Sequence, residues 1–69
     1  MKLILQAGSG TEEMFIEHDT TIPRKGDYIQ WDSPRHTDGL ATGRYKVIEV
    51  VWLFPEHSPR EVTLMLEWD

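Results

Sequence analysis

Ser33, His36 and Asp38 are the residue types from which a hydrolytic triad is built: a hydroxyl nucleophile, an imidazole base and a carboxylate to orient it. A triad works only if a scaffold holds its members within hydrogen-bond reach, and these three stand together in one hydrophilic stretch beside Pro34. The stretch reads as a loop, so no catalytic residue is assigned and a non-enzyme is expected. His18-Asp19, His36-x-Asp38 and His57 supply nitrogen and oxygen donors for a metal, but their spacing fits neither a zinc finger nor an HExxH helix. Residues 32–43 lack the alternating acids of a calcium-binding EF-hand loop. Gly8-Ser9-Gly10 has neither the length nor the lysine of a phosphate loop and reads as a connector. There is no cysteine, hence no disulfide and no thiolate chemistry. No metal and no cofactor are expected.

The charges offer binding chemistry instead. The net charge is −5, and it is unevenly spread. Glu12, Glu13, Glu17 and Asp19 crowd the first third, and Glu61, Glu67 and Asp69 the end, whereas Arg24, Lys25, Arg35, Arg44 and Lys46 collect in the middle. A phosphate-backbone binder needs clustered cations to release counterions, so the overall balance favours a protein partner with a basic surface over direct nucleic-acid binding. On a strand, side chains two residues apart lie about 6.6 Å apart on one face, which would make Glu61, Glu67 and Asp69 part of a negative ladder. Joined by Glu12, Glu13, Glu17 and Asp19, that ladder would mimic a nucleic-acid backbone; the plainer reading is a solvated, solubilising face. The alternative nucleic-acid contact comprises Arg24, Lys25, Arg35 and Arg44, with Asp27, Asp32 and Asp38 interleaved for local pairing. Trp31, Trp52 and Trp68 would serve as a base-stacking platform if exposed, but each lies on an apolar phase and reads as core filling. Phe15 and Tyr28 are the aromatics expected at the surface.

The elements that must position these groups are strands. With 69 residues the chain has room for one hydrophobic core and so for a single domain, residues 1–69. Apolar and polar residues alternate over short runs parted by Gly, Pro, Ser and Asp, the pattern of an antiparallel β domain. Five strands are expected, near residues 2–7, 14–22, 28–32, 44–54 and 61–69. The first has an apolar run too short for a signal peptide, and no segment is long enough for a bilayer-crossing helix of roughly 20 residues. A cytoplasmic protein with no membrane contact is the expectation. Residues 11–17 carry a second reading, one short helical turn with Thr11 as N-cap. Pro23-Arg24-Lys25-Gly26-Asp27 reads as a turn, and residues 33–43 as the long loop. The fourth run changes phase, with Tyr45 and Val47 on one face but Ile48, Val50, Trp52 and Phe54 on the other, so a bulge or bend is expected near Glu49. The fifth alternates cleanly, Val62, Leu64, Leu66 and Trp68 inward.

Ile22-Pro23-Arg24-Lys25-Gly26-Asp27-Tyr28-Ile29, Tyr45-Lys46-Val47-Ile48-Glu49-Val50 and Val62-Thr63-Leu64-Met65-Leu66 together resemble small SH3-like barrels, in which a Pro-x-x-Gly-Asp turn introduces a strand and a Tyr-x-Val-x-x-Val strand carries the core. The resemblance covers about residues 22–66. It implies a mainly β fold, a five-stranded antiparallel small barrel or strongly curled sheet. It transfers no functional residue, because this fold hosts peptide, protein and nucleic-acid binders alike. The functional expectation is a non-catalytic protein-binding module, an acidic inhibitor or adaptor that occupies a basic, nucleic-acid-binding surface as phage-encoded inhibitors such as anti-CRISPR proteins do. The alternatives are a nucleic-acid-binding barrel using loop 33–43, and a structural subunit, a homo-oligomer joined through a free strand edge or an apolar patch at residues 50–54.

Overall fold

The computed structural model describes residues 1–8, 10–17, 22–32 and 39–69. They form five strands, β1 (Lys2–Ala7), β2 (Gly10–Phe15), β3 (Tyr28–Trp31), β4 (Gly43–Leu53) and β5 (Glu61–Trp68). The strands make one sheet in the order β2-β1-β5-β4-β3, curled strongly into a half-barrel. No helix occurs among the described residues.

The sheet joins a β1–β2 hairpin to a β3-β4-β5 meander, and the seam between them departs from the all-antiparallel expectation: β1 and β5 run parallel, with Leu3 opposite Val62 and Leu5 opposite Leu64. Alternation fixes which face a side chain takes but not strand direction, so both pairings satisfy the same apolar pattern. The helical turn considered for residues 11–17 is absent. That segment is strand from Gly10 to Phe15, starting earlier and stopping sooner than expected. Its backbone groups pair with β1 from Ala7–Gly10 to Lys2–Phe15, and hydrogen bonds between Met1 and Ile16 extend the ladder. A full ladder satisfies more donors than one isolated helical turn, whose first four N–H groups lack partners.

β4 carries the expected bulge. Its register against β5 shifts between Val47 and Glu49, leaving Ile48 as the extra residue. The shift places Tyr45 and Val47 before it, and Val50 and Trp52 after it, on the same concave side, opposite Trp68, Leu66, Leu64 and Val62. The long strand thus bends and still lines one core throughout.

That core is Leu5, Leu40, Tyr45, Val47, Val62, Leu64 and Leu66, with Leu3, Met14, Ile22, Ile29, Trp31 and Val50 packed around it. Leu40 is 1% exposed although it stands in the segment read as a long hydrophilic loop; it plugs the concave side. Tyr45 is fully buried, its hydroxyl donating to the Ala41 carbonyl at 2.6 Å. The tryptophans correct the core-filling expectation in part. Trp31 is half-buried, but Trp52 is 41% and Trp68 57% exposed, because a half-barrel leaves the rims of its concave side open. Trp68 still packs edge-on against Tyr45, ring centroids 5.0 Å apart. Phe15 and Tyr28 are exposed as expected.

Candidate functional site

The convex face presents an apolar row at its centre. Ile4 on β1, Thr63 on β5 and Val51 on β4 stand side by side in register, two interstrand steps of about 4.8 Å each. Met65 follows Thr63 along β5, and Leu53 follows Val51 along β4. Val51 and Leu53 are both exposed, and Ile4, Thr63 and Met65 half-buried. Trp52 and Phe54 are exposed as well, so of the segment 50–54 expected as an assembly patch residues 51–54 are exposed, whereas Val50 packs against the core.

The expected acidic residues surround this row but do not make a bare ladder. Glu61 and Glu13 both face Lys2, with oxygens 4.0 and 3.2 Å from its Nζ. Glu67 stands opposite Lys46 in the β4–β5 register. Asp69 pairs with Arg44 at 3.2 Å. Glu61, Glu67 and Asp69 therefore each have a cation on the neighbouring strand, and the face is a mixed-charge rim around an apolar middle. Pairs this exposed contribute about 0–1 kcal/mol each and leave most of the local field in place. Glu12 belongs to the opposite face: it pairs across from Leu5, and its Oε1 accepts the Leu40 backbone N–H at 3.1 Å. Glu17 is exposed just beyond β2, and Asp19 lies outside the described residues.

The cations of the alternative reading are dispersed. Arg44 is committed to Asp69 and to the Tyr28 ring, 4.1 Å from its centroid. Arg24 and Lys25 sit in the turn before β3, and Arg35 lies outside the described residues, as do Ser33, His36, Asp38 and His18. Local pairing within the basic middle is not what the turn shows: Asp27 spends its carboxylate on the Arg24 backbone N–H at 2.8 Å, and no described carboxylate forms an ion pair with the Arg24 or Lys25 side chain. Both cations instead border a cleft of about 680 Å³ beside β4, together with Arg60, Glu49, Trp52 and the apolar Ile22, Pro23 and Val50. Sequence reading missed this cleft, since only the bulge brings Trp52 to the same side as the turn.

Among the described residues, no group of three His, Cys, Asp or Glu side chains could hold a metal ion, and no helix is long and apolar enough to cross a membrane. Compared with known proteins, the chain matches no family model, no curated protein and no solved structure. Its function is therefore argued from its own surfaces.

Proposed function

We propose that the chain is a non-catalytic protein-binding module that engages a basic partner surface through its convex face. The observation that carries this reading is the in-register apolar row Ile4–Thr63–Val51, widened by Met65 and Leu53 and rimmed by charge. An apolar centre inside a polar rim is the anatomy of a protein interface, in which the centre supplies affinity and the rim supplies register. The net charge of −5 supports the choice of a basic partner, because long-range attraction chiefly speeds and orients the encounter. Covering a nucleic-acid-binding surface in this way would make the chain a cytoplasmic inhibitor or adaptor.

The test is affinity capture with nuclease present, at low and high salt, using three forms of the chain: wild type, a Val51→Lys/Leu53→Lys variant, and a Glu61→Lys/Glu67→Lys/Asp69→Lys variant. A single partner lost with the first variant, and weakened both by salt and by the second, is the expected result. Binding indifferent to both variants would overturn the reading. Self-association abolished by Val51→Lys/Leu53→Lys would mean that the same face joins copies of this chain, and nuclease-sensitive capture would mean a nucleic-acid partner.

A further inference from the structure

The cleft beside β4 has the opposite electrostatic character to the rest of the molecule. A chain of net charge −5 gathers Arg24, Lys25 and Arg60 around one hollow, where Glu49 is the one carboxylate among the described lining residues. Arg24 and Lys25 form no ion pair with any described residue, so their charge is available to a ligand. Their backbone is held firmly. Within the turn Asp27 N donates to Arg24 O at 2.9 Å, and the turn is tied to β4 by Gly26 N to Val47 O and Val47 N to Asp27 O, both 2.8 Å. A backbone held in this way keeps both side chains rooted at the cleft, which limits the ordering cost of binding an anion to the side chains themselves.

The lining also includes an aromatic ring. Trp52 lines the cleft, 41% exposed, and Phe54 stacks against it with centroids 6.1 Å apart and planes 14° apart. An indole backed by a second ring is set in orientation and offers a planar surface to a ligand. Ile22 and Val50, both packed against the core, supply an apolar floor. The volume falls within the range of about 300–1,000 Å³ typical of small-ligand sites.

We propose that this cleft binds a phosphorylated planar heterocycle, a nucleotide unit, with its base against Trp52 and its phosphate toward Arg24 and Lys25. Stacking on tryptophan is available to any base, and charge-assisted hydrogen bonds from guanidinium and ammonium groups suit phosphate oxygens. Glu49 is placed to accept from an exocyclic amino group or a ribose hydroxyl, groups a bare polyanion lacks. An acidic peptide would satisfy the cations but leave the indole plane without a matching ring. None of the described lining residues belongs to the convex row, so the site stands or falls independently of the protein-binding reading. A free nucleotide and one unit of a single strand share this chemistry.

The experiment is an NMR titration of the full chain at low salt with ATP, adenosine, inorganic phosphate and a short oligoadenylate. The readouts are the Trp52 indole N–H and the backbone amides of Arg24, Lys25 and Gly26. ATP is expected to shift both groups, adenosine and phosphate to bind more weakly, and Arg24→Glu/Lys25→Glu to weaken ATP by at least about tenfold. Both side chains are exposed, so this variant is expected to fold, and a thermal melt checks it. A mononucleotide binding at least as tightly as the oligonucleotide identifies a free-nucleotide site, and tighter, steeply salt-dependent oligonucleotide binding identifies a strand. No shift with millimolar ATP and oligonucleotide, shifts unchanged by the charge reversal, or phosphate binding as tightly as ATP would each overturn the proposal.

Discussion

Gly39 and Leu40 are where the chain drops a leucine into an otherwise open concave side, and two residues of β2 hold it there. Glu12 accepts the Leu40 backbone N–H, and a Cβ at Gly39 would collide with that same carboxylate. Gly10 faces the Gly39 backbone so closely that a Cβ would run into its carbonyl oxygen. Glu12 is thus a structural acceptor and not one more surface acid, a distinction its residue type cannot reveal and its strand register can. Glu12→Ala is expected to cost about 1–3 kcal/mol by leaving the Leu40 N–H unsatisfied, and Glu12→Gln, which keeps an acceptor oxygen, about 1 kcal/mol or less. Urea unfolding of the two variants side by side decides it; equal losses would show that the charge matters and the hydrogen bond does not. Gly10→Ala must push back a backbone carbonyl and is expected to cost about 1–3 kcal/mol by the same measurement.

At the scale of elements, the turn before β3 governs how the cleft is built. Gly26 has φ of 97°, a left-handed conformation that a side chain resists, and its N–H is one of the two ties to Val47. Gly26→Ala is therefore expected to lower stability by about 1–2 kcal/mol and to loosen the Arg24–Lys25 wall, read as faster hydrogen exchange at the Gly26 and Val47 amides. Unchanged exchange at both would show that the ties do not depend on this turn. The turn was legible in the sequence because Pro23, Gly26 and Asp27 each restrict the backbone in a known way. So was β5, where unbroken alternation dictates the face of every residue, and so was the bulge, since Tyr45 and Val47 cannot share a regular strand face with Val50 and Trp52. The β2 limits were not legible, because Thr11–Glu17 fits a helical turn locally and only pairing with β1 decides for strand. Nor was the burial of Leu40, a single apolar residue with no period around it. The cleft was invisible for a related reason: it joins the turn to Trp52 across the sheet, and spacing along the chain carries no trace of that proximity.

On the scale of the whole molecule, β5 is the strand that makes two pieces one. It pairs in parallel with β1 of the hairpin and antiparallel with β4 of the meander, so the strand pairing that joins the two halves of the sheet runs through it. Val62 and Leu64 are wholly buried, and Leu64 stands between Leu5 and Val50 in the register. A domain of this length has about 3–10 kcal/mol of stability to lose. Leu64→Ala removes transfer energy and leaves a cavity at the seam, a loss of about 2–5 kcal/mol, which consumes a large share of that total. The expected outcome is a urea midpoint shifted most of the way toward zero, with hairpin and meander signals lost together, because neither half buries a face without the other. Leu64→Met keeps the volume and is expected to cost under about 1.5 kcal/mol. Independent transitions for the two halves in Leu64→Ala would show that the seam does not couple them. Val51→Lys and Leu53→Lys act on the far side of the same sheet, where both side chains already face solvent, and are expected to change stability by no more than about 0.5 kcal/mol each. That contrast matters for function. If the convex substitutions spare the fold while the seam substitution does not, a loss of partner binding in Val51→Lys/Leu53→Lys reports on the surface itself and not on an unfolded chain.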